Sequence, residues 1–230
     1  MYFIGVDLAW SYNTKEGSGI AIIKGDSEKA TLYNKSTVFS NGDVLEFINN
    51  NVHEDNALIA IDIPLVVPNE EGMRNAEKEL NSTFWKYDAN ARPASITNIL
   101  NMYGSVRGND LSKCLENHNF KHDFCIQHYE DTRKFFEVYP HPATVVLFNL
   151  DKILDYKKRE RERRIEGFKK YKKHLQMLSK AKPALDLPVD LLSVDVEKLT
   201  KSKLKQYEDI LDAVFCAYVA YLLLGTPREV

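Results

Sequence analysis

The chain has 230 residues, 44% of them hydrophobic and 28% charged, which sets it among ordinary folded proteins and excludes disordered, collagen-like and coiled-coil classes. Thirty-one Lys and Arg face thirty-three Asp and Glu, so the net charge of −2 gives no whole-chain argument for a polyanionic partner; any such argument must be local. Three cysteines are too few for a disulfide framework, and the longest apolar stretch, Ile210 to Leu224, carries Asp212 and falls short of the ~20 residues that span a bilayer. The expectation is a cytoplasmic, single-domain protein over 1–230 with no membrane partner.

The first segment, Met1 to Trp10, is an apolar run broken by one acid and reads as a strand. After a polar, glycine-containing turn, Ser18 to Ile23 gives a second strand and the alternation from Ala30 to Phe39 a third, together an antiparallel meander. Gly42-Asp43 opens a helix whose face is Val44, Leu45, Phe47 and Ile48. Leu58 to Val67 is almost wholly aliphatic, as suits a strand covered on both faces.

From residue 69 to 133 the composition turns polar and helical with no dominant period, as in an insertion or cap. Lys134 to Leu147 then reads as a strand stopped by Pro140 and Pro142. A basic helical segment, a proline-punctuated loop from Pro183 to Pro188, and a strong helix from Ser202 to Leu224 complete the chain. The order implies an α/β fold of ribonuclease-H-like type: a mixed five-stranded sheet flanked by helices, a helical insertion between strands four and five, and the last helix against strands one and four.

Alternation puts Phe3, Gly5, Asp7 and Ala9 on one face of the first strand and Leu58, Ala60, Asp62 and Pro64 on one face of the fourth. Each apolar strand thus interrupts itself with one Asp among small neighbours, and an ionised carboxylate in such a setting needs a compensating positive charge. Glu137, in Phe-Phe-Glu-Val-Tyr, and Asp212, with Asp209 three residues before it in the final helix, repeat the pattern. Carboxylates are hard ligands suited to Mg²⁺ or Mn²⁺. Asp7, Asp62 and Asp212 are the expected metal ligands and Glu137 orients water or a ligand, which makes the four a catalytic set for two-metal phosphodiester hydrolysis.

The strings GVDLAW, AIDIPL with Arg74-Asn-Ala-Glu77 soon after, EVYPHP, and DILDAVFCAYVAYLL, in that order, resemble the family of domain of unknown function 429 over most of the chain. The resemblance implies a predicted nuclease of ribonuclease-H-like fold with Asp7, Asp62, Glu137 and Asp212 as its acidic site. It also makes Arg74 a companion that contacts phosphate or an acid. Where the family commonly has an Asp and a second Arg after the first Arg, this sequence has Glu77 and Lys78.

From Lys157 to Lys173, ten Lys or Arg stand against three Glu, a local balance of +7 that leaves −9 for the rest. Lys157, Lys158, Arg159, Arg161, Arg163 and Arg164, with Tyr156, Phe168 and Tyr171 interleaved, are expected to track the backbone of a nucleic acid; a solvated helix laced by Glu–Lys pairs is the competing reading. Cys114, His118, His122, Cys125 and His128 would form one stripe on a continuous helix, yet their spacing matches no zinc motif, and mixed surface and core positions are the expectation. His141, after Pro140, reads as a turn histidine or a site base. The functional expectation is metal-dependent hydrolysis of nucleic acid, with a catalytically inactive binding or scaffold protein of the same fold as the alternative. A homodimer would suit a substrate with two-fold symmetry.

Overall fold

The computed structural model describes residues 1–12 and 17–225. Residues 13–16 of the polar turn after Trp10 lie outside the described residues. In chain order the elements are β1 (Tyr2–Asp7), β2 (Ser18–Gly25), β3 (Lys29–Val38), α1 (Asn41–Val52), β4 (Ala57–Asp62), α2 (Asn75–Phe84), α3 (Ile96–Tyr103) and α4 (Arg107–Glu116). There follow β5 (Lys121–His122), β6 (Arg133–Glu137), α5 (Pro140–Leu147), α6 (Arg161–Met177), β7 (Ala184–Asp186), α7 (Val189–Leu192) and α8 (Lys201–Gly225).

The strands form one mixed sheet in the order β5-β6-β4-β1-β2-β3-β7. β1, β2 and β3 are the expected antiparallel meander, while β4 runs parallel to β1, and β6 parallel to β4. Seven strands stand where five were expected, because β5 and β7 add two- and three-residue parallel edges to β6 and β3. A pairing that short leaves no hydrophobic period in the sequence, so β7 hides inside the proline-punctuated loop.

The stretch 134–147 also differs from the expected strand. Strand β6 ends at Glu137, and Pro140 opens helix α5 instead of stopping a strand. A proline in the first helical turn has no hydrogen bond to lose and a preset φ, so Pro140 starts a helix as readily as it ends a strand. Helix α1 begins where the sequence indicated. Ser40 Oγ accepts from the Asp43 amide at 3.0 Å, and the Asp43 carboxylate accepts from the Ser40 amide at 3.0 Å, closing a capping box.

Alternation along the strands builds two cores. Ile4, Val6, Ile20, Ile22, Ile59 and Ile61 pack with α1 and α4 on one face. Phe3, Ala21, Leu58, Ala60 and Phe136 pack under α8 and α6 on the other. The second face is the lean one, and its small residues have a purpose: a Cβ at Gly5 would lie 1.8 Å from the Ala213 carbonyl oxygen, and one at Gly19 would lie 2.0 Å from that of Asp209. The two glycines let the α8 backbone lie directly on β1 and β2. Helix α8 is buried on all sides through its middle, which explains its continuous apolar sequence. Among the described residues no helix is long and apolar enough to cross a membrane.

Candidate functional site

Three parallel strands end side by side at one edge of the sheet, and each ends in an acid. Asp7 of β1 is in register with Asp62 of β4, and Ile61 of β4 is in register with Glu137 of β6. Ligands of open α/β sheets collect beyond such carboxyl ends. Here the strand ends form the floor of a cleft of about 640 Å³, and residues from 74–103 supply its far wall. Asp7, Asp62, Glu137, Arg74, Lys157 and His141 all line it, so the structure brings these residues singled out from the sequence together.

Helix α8 contributes Asp209 and Lys205 to the cleft. Lys205 Nζ lies 2.5 Å from Asp209 Oδ1 and 3.1 Å from Glu208 Oε1, and Arg164 caps the other Glu208 oxygen at 2.8 Å. Asp212, one turn on, does not line the cleft: it is fully buried behind it. Its Oδ1 accepts from the Tyr156 hydroxyl at 2.8 Å, and its Oδ2, with no hydrogen-bond partner among the described residues, forms an ion pair with Lys157 Nζ at 2.7 Å. The acid facing the cleft from α8 is therefore Asp209, and Asp212 anchors Lys157 from beneath.

In fully ionised form Asp7, Asp62, Asp209 and Asp212 carry four negative charges against the two ammonium groups of Lys157 and Lys205 among the described residues, an excess of two that protons or a cation must balance. The titration behaviour follows. Burial, and then the charge of Asp7, hold the Asp62 carboxyl well above the ordinary carboxylate range. Burial and Asp7 push Asp209 up to about 9 against the pull of Lys205, with a side-chain hydrogen bond between Asp209 and Asp7 adding to the rise. Burial works against the charge on Lys157, but Asp212, Asp7 and Asp62 outweigh it and hold the lysine protonated well beyond its usual range. One oxygen, Asp7 Oδ2, is buried with no hydrogen-bond partner among the described residues.

Glu137 is occupied differently. Both of its oxygens take an Arg74 guanidinium bond, at 2.8 and 2.6 Å, and Oε2 also accepts from the Leu65 amide at 3.1 Å. Arg74 is further fixed by Glu77 Oε1 at 2.7 Å, and Glu77 Oε2 receives the Ala94 amide at 3.0 Å. This clamp ties the end of β6, the chain after β4 and helix α2 together, so Glu137 shapes the cleft wall and Arg74 meets an acid. Beside it, His141 carries a buried Nδ1 with no hydrogen-bond partner among the described residues, and burial, followed by the nearby Lys157 charge, lowers its pKa to about 4.

The basic run is not a surface around the cleft. Of Lys157, Lys158, Arg159, Arg161, Arg163 and Arg164, only Lys157 lines it. Arg163 pairs with Asp155 at 2.8 Å, Arg164 with Glu208, and Arg161 donates to the Glu197 carbonyl at 2.8 Å. Lys158 and Arg159 are exposed. The Cys114-to-His128 stripe is also dispersed, because α4 ends at Glu116 and the rest falls on β5 and loops. Among the described residues no group of three or more His, Cys, Asp and Glu side chains is disposed as a ready-made metal cage, in that stripe or in the cleft.

Lys205, Asp209 and Tyr156 are the site residues that the sequence left out of the catalytic set. A signal existed for the first two, since Lys205 and Asp209 stand four apart on a helix and so share a face. Residues 5–228 match the family described as "Protein of unknown function (DUF429)". No curated protein matches the chain. With that match running across every strand and helix that builds the cleft, the chain belongs to the DUF429 family.

Proposed function

We propose that the protein hydrolyses phosphodiester bonds of nucleic acid on a ribonuclease-H-like fold, with Mg²⁺ or Mn²⁺ held by Asp7 and Asp62. The observation that carries the reading is the excess of two negative charges that this desolvated cluster carries when ionised, which a single divalent ion would match. Such a hard ion takes one or two protein carboxylates and completes its shell with water and substrate phosphate. That fits a cleft with an orphaned Asp7 Oδ2 next to Asp62 and no closed cage. Bound there, the ion supplies Lewis-acid polarisation of a phosphate oxygen and a more acidic water.

The chain's own groups divide the remaining work. Asp7 and Asp62, fixed in register on adjacent strands, set the position of the reacting phosphate. Lys157 and Lys205 place two ammonium groups on the cleft floor, where they attract phosphate oxygens and limit the repulsion among the acids. Arg74 and Glu137 hold the ends of β4 and β6 at fixed spacing. His141 stays neutral, so at pH 7 one ring nitrogen donates and the other accepts. The meander, the parallel β4 and the placement of α8 across β1, β2 and β4 support the fold assignment.

A second reading, nucleic-acid binding without turnover, is favoured by the fact that Lys157 and Lys205 already neutralise half of the cluster. The test is cleavage of labelled DNA and RNA oligonucleotides with Mg²⁺ or Mn²⁺, wild type beside Asp62→Asn. The hydrolytic reading requires cleavage that falls at least about 100-fold in the variant. Binding without cleavage under either ion would leave the second reading.

A further inference from the structure

The wall facing the acids is chemically unlike the floor. It is built from Trp10, Ile99, Met102 and Tyr103, with the Trp10 and Tyr103 rings 5.2 Å apart at 33°. Behind it Val67, Ala94 and Ile99 form a small core of their own, so the wall is a supported platform. Met102 is 63% exposed, an apolar side chain held open at the rim. Asn98 and Arg92, whose side chains have no hydrogen-bond or ion-pair partner among the described residues, complete the lining on that side.

We propose that this cleft takes one nucleotide unit of an unpaired strand, its base against the Trp10–Tyr103 wall and its phosphate over the Asp7–Asp62 floor. The inference rests on the phosphodiester reading above. Size supports it: 640 Å³ lies within the ~300–1,000 Å³ of pockets that enclose single small molecules, and a duplex does not enter such a space. Chemistry supports it too, because an aromatic and apolar face stacks any base, while an asparagine amide offers the paired donor and acceptor that base edges carry. Charge sets the footprint. With Arg74, Arg163 and Arg164 committed to Glu137, Asp155 and Glu208, the remaining cations near the substrate among the described residues are Arg92, Lys157 and Lys205, enough for one or two phosphates and not for a long backbone track.

The chain has two tryptophans, so Trp85→Phe leaves Trp10 as the sole indole reporter. Titration of that variant with adenosine 5′-monophosphate and Mg²⁺ is expected to change Trp10 fluorescence, and inorganic phosphate alone is expected not to. Met102→Ala, at an exposed position, and Trp10→Leu should weaken nucleotide binding by about 10-fold or more, as loss of a stacking face does. In cleavage assays a single-stranded oligonucleotide should react at least about 10-fold faster than its duplex, and its binding should show a logarithmic salt slope of only about −0.7 to −1.4. Equal cleavage of duplex and single strand with no Trp10 response would overturn the inference and leave the hydrolytic reading standing. A Trp10 response to the nucleotide with neither strand cleaved would keep the nucleotide site and remove the hydrolysis.

Discussion

Replacing Gly5 by Ala is the sharpest structural test, because it separates packing from propensity. The added Cβ would sit 1.8 Å from the Ala213 carbonyl oxygen and 2.3 Å from the Ala217 nitrogen, both helix backbone atoms that cannot rotate away. Helix α8 must therefore retreat by about 1.2 Å to reach even the shortest contact a real Cβ shows. A gap of that order forfeits up to about half of the dispersion energy along the contact, beneath a helix that buries Phe215, Ala217 and Leu211. Overpacking of this kind costs about 1–3 kcal/mol, while alanine's advantage in a strand returns only ~0.5–1 kcal/mol. The net expectation is a loss of about 1 kcal/mol by urea unfolding. The control is Gly42→Ala in the first turn of α1, where the nearest atom is Ser40 Oγ at 3.5 Å, and where a gain of ~0.5 kcal/mol is expected. Since α8 carries Asp209 and Lys205, Gly5→Ala should also impair metal binding. If Gly5→Ala is as stable as wild type, the close seat of α8 on β1 is wrong.

Three further outcomes follow from the same geometry. Arg107 is fully buried and donates to Asn41 Oδ1 at 3.0 Å and to the carbonyls of Ala9 and Ser11 at 3.0 and 3.1 Å, so Arg107→Met should cost about 2–4 kcal/mol in urea unfolding; a loss under ~1 kcal/mol refutes that role. Asp209, raised to about 9 in the fold, keeps its proton where the unfolded chain has lost it, so its contribution to stability falls as pH rises from about 4 to 9. Asp209→Asn should remove up to about 1.4 kcal/mol per pH unit of that slope in urea melts at pH 5 and 8, and parallel slopes in the two proteins would contradict the assignment. His141, lowered to about 4, stays neutral in the fold while the unfolded chain protonates near 6.5, so it withdraws stability as pH falls between those values. Its ring resonances in NMR should not titrate above pH 5, and a midpoint near 6.5 would put the imidazole in water.

The strand acids were legible because an acid inside an apolar strand breaks a period of two, and both Asp7 and Asp62 do so at positions that the fold sets side by side. The helix acids were not separable in the same way. Asp209 and Asp212 sit on a helix buried on all sides, where no polar stripe distinguishes the residue at a cleft from the one behind it. Lys157 reads as one more cation in a basic run, and only the chain path after α5, which brings Tyr156 against Asp212, reveals that it points inward. The platform of Trp10, Ile99, Met102 and Tyr103 was invisible because it joins the end of β1 to a segment without periodicity. Its contacts are long-range and leave no local pattern.

The proposed metal site rests on the excess of two negative charges in the ionised acid cluster, which one divalent ion would balance. Calorimetric titration of Mn²⁺ at pH 7 with inorganic phosphate present, in two buffers of different ionisation enthalpy, measures this directly for wild type and Asp7→Asn. Wild type is expected to bind saturably with proton release, as the Asp209 proton is displaced, and Asp7→Asn to lose binding. Absence of binding in wild type, or equal binding in Asp7→Asn, would contradict it.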